Sequence, residues 1–130
     1  MFEDLQFANK NRRDFLLINT MVTNEQDCLI QGTIAHHSEE TIINELLEQY
    51  QLRKKIIVYG KNTNDDSSEK KYNQLVSLGF SEVYLYCGGL FEWLLLQDIY
   101  GKDEFPTTSN VLDILKYRPV RTFGNTYLLC

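Results

Sequence analysis

Apolar residues along the chain fall into two kinds of pattern. Continuous apolar runs stand at Phe15-Leu16-Leu17-Ile18, Ile56-Ile57-Val58-Tyr59 and Val83-Tyr84-Leu85-Tyr86. Short runs without alternation mark strands buried on both faces, as in a parallel sheet. Between them the apolar positions spread to helical spacing: Ile42, Ile43, Leu46, Leu47 and Tyr50 after Ser38, then Tyr72, Leu75, Val76 and Leu78 after Asp66. Leu90 to Tyr100 is apolar almost all round, which predicts a mostly buried helix ended by Gly101. Ser38 is placed to cap the first of these helices, with Glu39 and Glu40 in its first turn. Asp66 with Glu69 three residues on reads as a capping box, and Gly79 as a left-handed C-cap. Gly88-Gly89 reads as a turn. Two weaker expectations are a short strand at Thr33-Ile34-Ala35 and a last helix from Thr108 or Ser109 through Val111, Leu112, Ile114 and Leu115, closed by Pro119. Residues 1–14 are polar, with Phe2, Leu5 and Phe7 as docking points.

Strands alternating with helices at these lengths predict an α/β domain with a mainly parallel central sheet and helices on both faces. One domain covers 1–130, with its core at about 15–117 and an apolar, β-prone tail over 118–130. In such a sheet a site lies at the carboxyl ends of the strands. Those ends are Asn19-Thr20-Met21, Gly60 to Asp66, and Cys87-Gly88-Gly89. Composition narrows the partners. A net charge of -5 without a Lys/Arg stripe argues against nucleic acid. No apolar run approaches a membrane span. Three widely spaced cysteines, and an opening Met1-Phe2-Glu3-Asp4 without the basic-then-apolar order of a secretory leader, point to a reducing, cytoplasmic setting.

Few residues carry chemistry of their own. Cys87 ends a strand on the expected site face and is the candidate nucleophile, although a free cysteine is most often a small buried packing residue. Cys28 reads as structural, and Cys130 lies in the tail. His36-His37 are adjacent and so do not share a face, which makes them a poor metal pair. Asn62, Asn64, Asp65 and Asp66 lack the leading Asp, the turn glycine and the distal Glu of a calcium loop. No cofactor and no metal are implied.

Three blocks together resemble the rhodanese-like family. Cys28-Leu29-Ile30-Gln31-Gly32-Thr33-Ile34 is similar to the family's early Gly-His-Ile-x-Gly-Ala block, with the Ile and the second Gly in place. Ile56-Ile57-Val58-Tyr59-Gly60 is similar to the strand that delivers the nucleophilic cysteine. Leu78-Gly79-Phe80 through Val83 to Gly88-Gly89-Leu90-Phe91-Glu92-Trp93 resembles the family's Gly-Phe … Val … Gly-Gly … Trp block and is the specific one. The Asn/Lys/Ile-rich form of the chain looks most like rhodanese-like proteins of giant viruses and protists. The resemblance implies the rhodanese-like α/β fold, with Trp93 packed beneath the site.

It also implies a site that has changed. In active members a cysteine thiolate opens the loop, backbone N–H groups cradle it, and it takes up sulfur as a persulfide; relatives that bind phosphate use the same cradle with a cysteine and an arginine. Here Gly60 holds the cysteine's place, and Lys61, Asn62, Thr63, Asn64, Asp65 and Asp66 include neither cysteine nor arginine. The early Asp-x-Arg pair is replaced by Asn19 and Met21. Two carboxylates in the loop repel thiosulfate and phosphate and disfavour a thiolate. The expected protein is therefore a rhodanese-like domain without the catalytic cysteine, acting as a binding or regulatory module on an unidentified protein partner. The tail, with Phe123, Tyr127, Leu128 and Leu129, is expected to dock on its own domain or across a homodimer. The competing expectation is an enzyme: a sulfurtransferase or sulfur carrier using Cys87, or a phosphatase-like hydrolase.

Overall fold

The strands β1 (Phe15–Asn19), β2 (Lys55–Tyr59) and β3 (Val83–Tyr86) form one sheet in the order β1-β2-β3, with both pairs parallel. This computed structural model describes residues 1–119. The register sets Leu17 beside Ile57 and Ile57 beside Tyr84, with Tyr59 beside Tyr86. These side chains share one face, and Ile18, Ile56, Val58 and Val83 take the other. Helices α1 (Phe2–Lys10) and α4 (Gly89–Tyr100) cover the first face through Leu5, Ala8, Leu90, Trp93 and Leu94. Helices α2 (Glu39–Glu48) and α3 (Ser67–Ser77) cover the second through Ile43, Leu46 and Leu75. A sheet buried from both sides has no polar face, which is why its strands read as unbroken apolar runs.

Local signals explain most boundaries. Helix α3 ends in a Schellman motif: the Phe80 N–H reaches the Leu75 carbonyl at 3.3 Å and the Gly79 N–H reaches Val76 at 3.0 Å. Gly79 takes φ 110°, and Phe80 turns in to join Leu75 in the core. Between α2 and α3, Lys71 Nζ meets Glu39 Oε2 at 2.6 Å. Trp93 is fully buried, stacks edge-on against Phe105 at 4.9 Å and donates its indole N–H to the Pro106 carbonyl at 3.1 Å. A buried indole needs such a partner.

Three expectations change. The polar N-terminal stretch forms α1, because Leu5 and Ala8 one turn apart both reach the core. Thr33-Ile34-Ala35 is not a strand; Thr33 makes only a single bridge with Leu17. Its N–H closes a turn onto Ile30, and its hydroxyl goes to the Ile30 carbonyl at 2.6 Å and to the Tyr59 hydroxyl at 2.7 Å. The helix expected from Thr108 shrinks to a 3₁₀ turn at Ile114–Tyr117. Residues 107–109 are instead tied to the segment after β1: the Thr108 N–H donates to Leu29 at 2.8 Å, the Ser109 hydroxyl to Asp27 at 2.8 Å, and Ile30 bridges Thr107. Ser and Thr side chains that find such partners compete with helix formation. Tyr50, Val76, Leu78 and Leu112, expected on apolar faces, are exposed. The tail over 120–130 lies outside the described residues.

The Gly79 cap is a test of this local reading. A Cβ there meets nothing closer than Leu52 at 3.6 Å, so the cost of a side chain is backbone strain alone. Gly79→Ala should lower stability by about 1 kcal/mol in urea unfolding, without changing the far-UV spectrum of the folded protein.

Candidate functional site

The loop from Gly60 to Asp66 leaves β2 and enters α3, at the carboxyl end of the sheet. Its first two carbonyls point at the N-terminus of α4: the Leu90 N–H donates to Gly60 O at 2.9 Å, and the Phe91 N–H to Lys61 O at 2.9 Å. The first N–H groups of a helix have no partner within it, and here the loop supplies them. This contact requires Gly89. It sits at φ 66°, and a Cβ on it would lie 2.6 Å from Gly60 O and 2.9 Å from Asn62 N.

The inside of the loop is filled by its own carboxylate. Asp65 Oδ2 accepts the Lys61 N–H at 3.0 Å, while Oδ1 accepts the Ser67 N–H at 3.0 Å and the Ser67 hydroxyl at 2.6 Å. The Ser67 hydroxyl in turn lies 2.8 Å from the hydroxyl of Thr20, at the end of β1. A Cβ at Gly60 would lie 2.7 Å from Asp65 Oδ2 and 3.2 Å from Thr20 Oγ1, so the space a side chain at position 60 needs is taken by Asp65. Burial pushes the Asp65 carboxyl up, but the hydrogen bonds from Lys61 and Ser67 and the Lys61 charge outweigh it, and the group is held below its usual range.

The other loop residues are committed to structure. Asn62 is buried; its amide donates to the carbonyls of Tyr117 at 2.9 Å and Arg118 at 3.2 Å, and its oxygen accepts the Asn64 N–H at 3.0 Å. The Lys61 ammonium pairs with Glu25 at 3.3 Å. Thr63 is exposed. Asp66 makes no cap bond; its exposed carboxylate pairs with Lys70 at 3.4 Å. The expected capping box is thus corrected: Asp65 caps α3 through an Asx turn, and only one of the two carboxylates faces inward.

Cys87 stands in the turn between β3 and Gly88 and is exposed, contrary to the buried packing role usual for a free cysteine. Cys28 is buried, with its Sγ 3.4 Å from the Ser109 carbonyl. Asn19 and Met21 are both buried. Asn19 Oδ1 accepts the Met21 N–H at 3.1 Å and the Gln26 amide at 2.8 Å, so these positions hold the loop after β1 in place. His36 and His37 are exposed in a 3₁₀ turn before α2. Among the described residues no three His, Cys, Asp or Glu side chains come together as a metal site, and no helix is long and apolar enough to cross a membrane. The residue that sequence reasoning missed is Ser67, for which the Asp65-x-Ser67 pattern at a helix start was a legible signal. Thr20 and Asn62 were placed at the strand ends, but not their bonds to Ser67 and to Tyr117 and Arg118, which join positions far apart in sequence.

A family profile described as "Rhodanese-like domain" matches residues 10–96. A search of curated protein sequences finds no match. Among solved structures, the fold is similar to a protein from Anabaena sp., at 22% identity and TM-score 0.60 over 88% of this chain and 95% of that one. It is also similar to the Rhodanese_3-like domain of an Anabaena sp. protein, at 25% identity and TM-score 0.51 over 73% of this chain and 99% of that one. A third is described as a yeast protein tyrosine phosphatase of the rhodanese family, at 16% identity and TM-score 0.57 over 89% of this chain and 93% of that one.

Replacing the inward carboxylate tests its role. In Asp65→Asn one of the two acceptor oxygens becomes an N–H donor facing an N–H, and stability at neutral pH should fall by about 1–2 kcal/mol. The pH dependence has a defined sign. Because the folded pKa lies below the ordinary value of 3.8, the carboxylate's contribution is present above that value and is lost as pH falls through the folded pKa. The gap between wild type and Asp65→Asn in urea midpoints should therefore narrow at acidic pH.

Proposed function

The chain belongs to the rhodanese-like domain family, and from that premise we propose that it turns over neither thiosulfate nor phosphate esters and serves as a binding or regulatory module for a protein partner. The observation that carries this reading is the Asp65 carboxylate inside the loop, bonded to the Lys61 N–H and to Ser67. Sulfur transfer needs a thiolate to attack the outer sulfur of thiosulfate, release sulfite and hold the sulfur as a persulfide. Phosphate transfer needs a nucleophile and N–H groups aimed at the phosphoryl oxygens. At position 60 there is no side chain to attack, and two of the donors that face the inside of the loop are already bonded to a fixed negative charge. An incoming oxyanion would have to displace a tethered carboxylate and withstand its repulsion. The Lys61 ammonium is engaged by Glu25, and no arginine stands in the loop to compensate.

Under this reading the loop is a structural frame that ties β2, α3, α4 and the segment at Tyr117-Arg118 together, and what it presents is a shape. A cytoplasmic, reducing location fits the unpaired Cys28 and Cys87. A second reading keeps an enzyme. The exposure of Cys87, at the carboxyl end of β3 and two residues before the Gly89 that packs on the loop, favours a sulfur carrier that uses this thiol instead.

Purified protein should show no thiosulfate:cyanide sulfurtransferase and no p-nitrophenyl phosphatase activity above buffer. Turnover that persists through purification and vanishes in Cys87→Ser would establish the second reading in place of the first.

A further variant isolates the electrostatics. Gly60→Cys places its Cβ against Asp65, so its thiol should stay largely protonated and should not turn over thiosulfate. Gly60→Cys combined with Asp65→Ala removes both the collision and the charge. Its thiol should react with iodoacetamide at neutral pH roughly tenfold faster than that of Gly60→Cys, with Cys87→Ser as the common background. Equal labelling rates would contradict the role given to Asp65.

A further inference from the structure

Strand β3 is an edge of the sheet. It pairs with β2 on one side, and among the described residues no backbone pairs with the other. Beside that edge, on the face carrying α1 and α4, lies a groove of about 420 Å³. Its lining includes Leu5 and Phe7 of α1, Phe15 and Ile57 of the neighbouring strands, and Tyr84 and Tyr86 of β3. Helix α1 does not close it. Tyr84 is 49% and Phe7 60% exposed, two aromatic rings left partly in water beside an unpaired strand edge. The Tyr86 hydroxyl is buried beside the Glu92 carboxylate. Burial, with Glu92 and Glu3 nearby, pushes its phenol up, so it stays a neutral donor.

An open edge with an apolar groove beside it accepts an extended segment whose alternate side chains are apolar. The chain carries such a segment. In Thr122-Phe123-Gly124-Asn125-Thr126-Tyr127-Leu128-Leu129, the odd positions are Phe123, Asn125, Tyr127 and Leu129. An extended strand puts all four on one side. Three are large and apolar, and the fourth is an amide whose carbonyl oxygen is an acceptor for a phenol.

The distance is short enough for the segment to come from the same molecule. Arg118, bonded through its carbonyl to Asn62, stands at the carboxyl end of β2, one strand from β3. Neighbouring strands lie about 5 Å apart and the length of β3 is about 13 Å. The residues from 119 to 129 span up to about 36 Å when extended. We infer that residues 122–129 add in cis to the outer edge of β3, with Phe123, Tyr127 and Leu129 in the groove between α1 and the sheet. The inference does not depend on whether the Gly60–Asp66 loop is catalytic.

Amide hydrogen exchange on the full chain tests it. In wild type the amides of Val83–Tyr86 should exchange slowly on both edges of β3, and the protein should be a monomer by light scattering. Full-length Phe123→Ser/Tyr127→Ser/Leu129→Ser should exchange its β3 amides at least about tenfold faster, with β1 and β2 unchanged. Tyr84→Ser changes the groove rather than the tail and should give the same local loss, which keeps the test valid if the triple variant does not fold. Identical β3 exchange in wild type and both variants overturns the inference. So does a full-length dimer that the tail substitutions convert to monomer, because the segment would then come from a second copy.

Discussion

The hydrogen bonds from the start of α4 to the carbonyls of Gly60 and Lys61 organise the carboxyl end of this sheet. Once the Leu90 and Phe91 N–H groups take those two carbonyls, the loop is held in a curve with the Lys61 N–H available to its interior. Asp65 takes that N–H and the one at the start of α3. Gly89 makes the approach physically possible, because any side chain on it would collide with the backbone of Gly60, Lys61 or Asn62. The loop after β2 and the turn after β3 are therefore one unit, although 27 residues lie between Gly60 and Gly88. Asn62 then fastens the same unit to Tyr117 and Arg118.

A carboxylate tethered against two backbone N–H groups and a hydroxyl behaves as an anion supplied by the chain itself. Holding it there costs little translational entropy, whereas a free anion must give that freedom up on binding. The same arrangement neutralises part of the α3 dipole, which at a bare helix N-terminus would attract an anion. The Lys61 ammonium lies between the two acids, pairing with Glu25 and favouring the charged form of Asp65. Thr20 and Ser67 extend the network to the end of β1, so the interior of the loop is linked by hydrogen bonds on several sides.

The sheet has only three strands, and its two edges are treated differently. The outer edge of β1 is met by the segment around Ile30 to Ile34, held by the buried Tyr59 hydroxyl, which accepts the Ile30 N–H at 3.2 Å and lies 2.7 Å from the Thr33 hydroxyl. Burial keeps that phenol neutral. The edge at β3 has no such cover among the described residues, and the aromatic groove lies on that side. One tyrosine at the end of β2 thus joins the bonds from Asn19, Leu17 and residues 106–109 that hold the segment between β1 and α2.

What the sequence by itself determined was whatever rests on neighbours in the chain. The three apolar runs became the strands because a parallel sheet covered on both faces has no polar side. Gly79 closed α3 because the left-handed cap needs no partner beyond its own helix. The helical spacing after Ser38 and Asp66 placed α2 and α3, and the glycine that opens the loop after β2 was plain. Tertiary structure alone decided which of Asp65 and Asp66 faces inward, since that turns on the Lys61 N–H held in place by α4. It alone decided that Thr33 spends its backbone in a turn, that Thr108 and Ser109 bond to Leu29 and Asp27 instead of starting a helix, and that Cys87 lies exposed. For Thr108 and Ser109 a helical partner nearby and a distant one were both within reach, and the distant one won because packing had already brought it near.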